Sequence, residues 1–162
     1  MRMFVITTLL LSLGVFNSCQ KKFEEPNDIS PVGPAEFKAK INGVQFIAIL
    51  TGASIRPDGV ITMAAESADR QMITFAVRDS GVYVYTLAIN SLTNFAGYTD
   101  ATSIAFYSNE GIEPGDSGGT FTIKSIDRVK KLISGTFNFK AFHQDNRTQR
   151  IITDGVFNNI SY

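Results

Sequence analysis

The chain reads as all-β, a single antiparallel β-sandwich or flattened barrel of about nine to eleven short strands, set behind a signal peptide and a tether. Three observations point there. Tight-turn sequences recur at short intervals, from Asn42-Gly43 to Asp154-Gly155. The runs between them alternate apolar and polar residues, as half-buried strands do. No stretch carries a sustained helical repeat of apolar residues.

The first eighteen residues stand apart. Arg2 is the only charged side chain before Cys19, residues 3–16 are an apolar run, and Asn17-Ser18 are small residues before a cleavage point. That pattern predicts a signal peptide over 1–18. A transmembrane span needs roughly 20 apolar residues, and this run is shorter and carries Thr7, Thr8 and Ser12. A cysteine directly after the exit makes it resemble a bacterial lipoprotein signal, with Phe16 where Leu is commoner. That resemblance implies that Cys19 is lipidated and becomes the mature amino terminus. Cys19 is the only cysteine, so no internal disulfide can form and lipidation accounts for it. A diacylglyceryl plus N-acyl group exceeds the single chain that binds membranes only marginally. The expected location is the outer membrane, on its periplasmic face or at the cell surface.

Residues 19–34 carry the lipidated cysteine and then Pro26, Pro31, Gly33 and Pro34 among charged side chains. This composition predicts a semi-extended tether, whose reach at ~3.5 Å per residue is roughly 50 Å. Residues 35–162 form one domain of ordinary size. Loss of Arg2 takes Lys+Arg from 15 to 14 against 15 Asp+Glu, a formal charge of −1. Without a basic excess, nucleic acid is not an expected partner. Thirteen Phe and no Trp predict a core of phenyl rings.

The domain opens on a two-residue hairpin. Asn42-Gly43 suits a type I′ turn, in which both central residues need positive φ. The turn places Ile41 opposite Val44, Ala39 opposite Phe46 and Phe37 opposite Ala48 on one face, with Lys38, Lys40 and Gln45 on the other. Arg56-Pro57-Asp58-Gly59 then joins a strand over 48–55 to one over 60–66. Ser67-Ala68-Asp69 and Asp79-Ser80-Gly81 bracket a strand over 71–78. Residues 82–89 (VYVYTLAI) are apolar on both faces, which predicts a central strand. Residues 90–101 are ambiguous, a helical turn over 91–95 being one reading; a strand is expected over 103–107 and a polar loop over 109–118.

A second hairpin pairs 119–126 with 132–142. An odd-length loop around Val129 sets Phe121 opposite Phe137 and Asp127 opposite Lys131, whereas an even one throws the rings to opposite faces. Asp154-Gly155 then makes a third hairpin between 150–153 and 156–160, or a bulge within one strand.

FKAKINGVQFIA near the domain start, GTFTIKSIDRVKKLISGTFNF and the closing ITDGVFNNISY, with the lipoprotein signal and tether, resemble a family of small β-rich Bacteroidota lipoproteins known as a domain of unknown function. The resemblance covers the whole chain, is strongest from Gly119 onward, and implies membrane anchoring. It carries no assigned activity and no catalytic residues.

Several constellations invite chemistry. Gly115-Asp116-Ser117-Gly118-Gly119 matches the sequence around the nucleophile of chymotrypsin-like proteases. That mechanism needs a histidine base and a buried aspartate; the sole histidine, His143, follows the serine. A turn into the next strand explains the residues better. A metal site needs converging ligands. His143 has no second His beside it, and Asp58, Asp79, Asp100 and Asp116 occupy separate turns without calcium-loop spacing. His143 is therefore expected to be solvated, and neither metal nor cofactor is expected. Asn146-Arg147-Thr148 is a glycosylation sequon by pattern, which a bacterial lipoprotein has little use for. Arg128, Lys130 and Lys131 read as a solvated hairpin tip. Tyr83, Tyr85, Tyr98 and Tyr107 could line a sugar-binding face, but tyrosine is also simply a good strand residue.

The functional expectation is a non-enzymatic, lipid-anchored binding or accessory module. It would be a monomer that meets the membrane through Cys19, with an envelope protein or small molecule as a further partner. The alternative is a lipocalin-like barrel carrying a small apolar ligand. The inward set Phe37, Phe46, Phe121, Phe137 and Phe139 separates the two, because a filled interior leaves a carrier no cavity.

Overall fold

The computed structural model describes residues 34–162 except 79, 80, 144 and 146. The signal peptide, Cys19 and most of the tether lie outside the described residues, as does Asn146 of the sequon.

Ten strands follow in order: β1 Glu36–Ile41, β2 Val44–Ile55, β3 Val60–Ser67, β4 Met72–Arg78, β5 Val84–Leu87, β6 Phe95–Thr99, β7 Ala105–Tyr107, β8 Gly118–Asp127, β9 Leu132–His143 and β10 Thr148–Ser161. Eight of them close an antiparallel barrel in the order β10-β1-β2-β3-β4-β6-β7-β9, with β9 pairing back to β10. β8 and then β5 continue the sheet from the other edge of β9. The architecture is thus a barrel with two added strands.

The first hairpin has the expected turn, with φ of 49° at Asn42 and 83° at Gly43. Ala39 faces Phe46 and Ile41 faces Val44. Pairing of β1 with β2 stops at Lys38↔Ile47, short of the expected Phe37–Ala48 pair, and Phe37 takes Phe157 of β10 as its partner. On its other side β2 pairs with β3, from Ala48↔Ser67 onward, with a register shift between Ala48 and Leu50. Val44, at the barrel rim, is 70% exposed.

In the second hairpin Phe121 does face Phe137, but Asp127 faces Leu132 and not Lys131. Arg128, Val129, Lys130 and Lys131 separate the strands, an even loop. A register shift between Ile123 and Ser125 supplies the extra residue and keeps both rings on the inner face. Asp154-Gly155 lies within the single bulged strand β10, with Asp154 at φ 52°.

Two further readings differ from the structure. Residues 82–89 are not a central strand: only Val84–Leu87 is β, it ends the sheet, and Val82, Tyr83 and Val84 are exposed. Its outer face is apolar yet uncovered, which sequence pattern cannot distinguish from burial. No helical turn forms over 91–95; Ser91 Oγ accepts a hydrogen bond from the Asn94 N–H (3.1 Å), and Phe95 opens β6.

Phenyl rings fill the barrel. Phe37, Phe46, Phe121, Phe137 and Phe139 are all buried, joined by Phe75, Phe106 and Phe157. Phe121 stacks on Phe157 at 5.1 Å with 8° between planes. Phe137 lies 5.1 Å from Phe37 and 4.9 Å from Phe75, ring centre to ring centre. Each such ring contributes about 1.5–3 kcal/mol by burial, and the contacting pairs add packing beyond area. Gly135, opposite Phe157, makes room for this stack: a Cβ there would stand 2.5 Å from Phe157 Cζ and 2.0 Å from the Thr122 carbonyl oxygen.

Candidate functional site

The sheet β5-β8-β9-β10 aligns Leu87, Gly119, Phe139 and Ile152 in one row across four strands. The side chains of Leu87, Phe139 and Ile152 are buried in the core, so this row presents only backbone outward. The neighbouring rows point their side chains out: Thr86 and Asn138 on one side, Lys140 and Ile151 on the other. A trough of about 640 Å³ results, floored by Gly118 and Gly119 and overhung by the loop that holds Pro114, Gly115 and Ser117. Gly118 has φ 115° and Gly119 φ 153°. A Cβ on Gly119 would come within 2.5 Å of Phe139 Cα and 2.3 Å of the Asn138 carbonyl oxygen. Ala88, Ile89 and Thr153 complete the walls.

The loop is held by its own aspartate. The Asp116 carboxylate accepts the N–H groups of Ile112 and Glu113, both at 2.8 Å. The hydrogen bond from Glu113, then that from Ile112, hold this carboxyl below the ordinary aspartate range, and the Lys140 ammonium adds to the effect. Lys140 Nζ donates to the Gly115 carbonyl (3.3 Å), and the Gln149 side-chain amide donates to the Asp116 carbonyl. Ser117 Oγ is buried and has no hydrogen-bond partner among the described residues.

The other sequence-picked residues scatter. His143 ends β9, half-buried, with its ring 5.6 Å edge-on to Phe106. It borders a separate cleft of about 250 Å³ with Ala105, Tyr107, Glu110 and Asp145, so the fold does not bring it to Ser117. Tyr83 and Tyr107 are exposed, while Tyr85 and Tyr98 are buried. The Tyr85 hydroxyl donates to the Gly81 carbonyl (2.9 Å), and that of Tyr98 to Gln71 Oε1. The four do not share a face. Burial, and next the nearby Asp100 carboxylate, push the Tyr98 hydroxyl above its ordinary value. Arg150 joins this barrel end, 4.0 Å from Asp100 and with its guanidinium 4.4 Å above the Phe106 ring.

Lys130 at the hairpin tip reaches Asp127 (3.5 Å), and Lys131 lies over the Tyr162 ring at 5.6 Å. Among the described residues no group of three or more His, Cys, Asp or Glu converges as metal ligands would. Sequence reading missed the trough as a site. It recognised the turn through Gly115-Asp116-Ser117-Gly118-Gly119 and the pairing of 119–126 with 132–142, but nothing local links these to Thr86 or Ile151.

Fold and site define an antiparallel β-barrel domain with a surface trough. Residues 33–161 match the family model described as "Domain of unknown function (DUF6252)", and the chain belongs to that family. No curated protein and no solved structure matches the chain.

Proposed function

We propose that this is a lipid-anchored, non-enzymatic envelope lipoprotein of Bacteroidota type, moored to the outer membrane by acylated Cys19, that binds its ligand or partner on the barrel surface. The observation that carries the surface reading is the ring-filled interior, in which Phe121 and Phe157 are 0% exposed. A carrier needs an apolar cavity of roughly 300 Å³ or more. The phenyl stack occupies that space, which weighs against the lipocalin-like alternative. The trough across β5-β8-β9-β10, about 640 Å³ in volume, is open to solvent-borne molecules. The separation of Ser117 from His143 supports a binding role over hydrolysis. The domain acts as a monomer without cofactor, and its near-neutral charge gives nucleic acid nothing to hold.

Growth with an alkyne-bearing fatty acid, followed by mass spectrometry of the mature amino terminus, tests the anchor. Label on Cys19 that Cys19→Ser abolishes is the expected result; an unmodified Cys19 in the native host refutes it. Protease shaving of intact cells separates surface from periplasmic placement.

A further inference from the structure

We infer that the trough binds a small amphipathic carboxylate, its apolar body laid over Gly118 and Gly119 and its carboxylate at Lys140 and Ser117; this rests on the surface-binding reading above. Three features of the site carry it. The walls are mainly carbon, from Pro114, Ala88, Ile89 and Ile151, and Ile151 leaves 43% of its surface in water. Covering these groups favours a ligand with an apolar body.

The second feature is a cation with no ion pair among the described residues. Lys140 pairs across the ladder with Gly118, at one wall of the trough. An ammonium has three donors, and this one donates to a neutral carbonyl, that of Gly115 at 3.3 Å. The nearest acid, Asp116, has its carboxylate turned onto the amides of Ile112 and Glu113. It feels the Lys140 charge without forming an ion pair among the described residues.

The third is the orphan hydroxyl of Ser117, adjacent in sequence to the Gly118 that faces Lys140. A buried polar group without a partner calls for one, and an acceptor on a ligand would supply it. Two donors, one charged and one neutral, match the two oxygens of a carboxylate. They leave a phosphate dianion with more acceptors than the site can satisfy.

The experiment uses the full lipidated chain in nanodiscs, isotope-labelled at isoleucine methyl groups and titrated with octanoate, with empty nanodiscs as the blank. Saturable shifts are expected at Ile89 and Ile151. Lys140→Met, an exposed outward position, should weaken binding about tenfold while leaving methyls outside the trough unchanged. Ser117→Ala should weaken it several-fold, and octanamide should bind wild type about as poorly as octanoate binds Lys140→Met. No saturable shift on a folded barrel, or binding undiminished in Lys140→Met, overturns the proposal. Shifts centred on the interior Ile123 and Ile133 overturn the surface reading as well. An unacylated Cys19 with intact shifts at Ile151 removes only the anchor.

Discussion

Asn42 and Ile151 exchange two hydrogen bonds across 109 positions of sequence. The Asn42 N–H donates to the Ile151 carbonyl at 2.8 Å, and Asn42 Oδ1 accepts the Ile151 N–H at 2.8 Å. A hairpin turn therefore also fastens β10, just before the bulge at Asp154. Asn42 serves both ends because asparagine tolerates its φ of 49° while offering a side-chain acceptor.

Replacing Asn42 should expose these two roles. Asn42→Ala loses the acceptor and strains the positive φ, costing about 2 kcal/mol in all. Asn42→Gly loses only the acceptor, about 1 kcal/mol. Urea unfolding midpoints measure both, and equal losses would mean that the turn conformation carries no share.

Gly135→Ala should be among the most damaging single-methyl changes in the chain. Its Cβ would meet the Thr122 carbonyl at 2.0 Å and the Phe157 ring at 2.5 Å, and neither the ladder nor the stacked ring has room to move. A loss of about 3 kcal/mol or more follows, read as a lowered melting temperature or insolubility. Gly52→Ala, whose Cβ meets nothing within 4 Å, should stay within about 0.5 kcal/mol.

Phe121 and Phe157 should prove coupled. Each truncation to Ala should cost about 3–5 kcal/mol, and the double mutant should cost less than the sum by about 1 kcal/mol, the worth of the stacked pair. Strict additivity in denaturant unfolding would contradict the 8° stack seen between them.

Asp116 should titrate below the ordinary aspartate range, because the amides of Glu113 and Ile112 bind its charged form. With the folded pKa depressed, its support for the loop is complete above the unfolded value and disappears as pH falls through the folded one. Amide shifts of Ile112 and Glu113 followed by NMR between neutral and strongly acidic pH give the midpoint. A midpoint at or above 3.8 would remove the hydrogen-bonded carboxylate from the account. Asp116→Ala, which removes the acceptor of both amides, should free the loop at every pH and leave the barrel stack intact.

What the sequence determined by itself is local. The Asn42-Gly43 turn, the alternation that places Phe121 against Phe137, and the all-antiparallel class all depend on neighbours a few residues apart, where turn chemistry and side-chain period act directly. Even there the loop of Arg128, Val129, Lys130 and Lys131 has the wrong parity, and a bulge at Ile123–Ser125 corrects it. Only the tertiary structure decided that β10 closes the barrel between β1 and β9, that β5 ends the sheet, and that Leu87, Gly119, Phe139 and Ile152 fall in one row. The physical reason is that ladder hydrogen bonds join backbone groups common to every residue. They carry no address, so distant strands find their partners by how the rings of Phe37, Phe121, Phe137 and Phe157 pack together, and the trough is what that packing leaves on the outside.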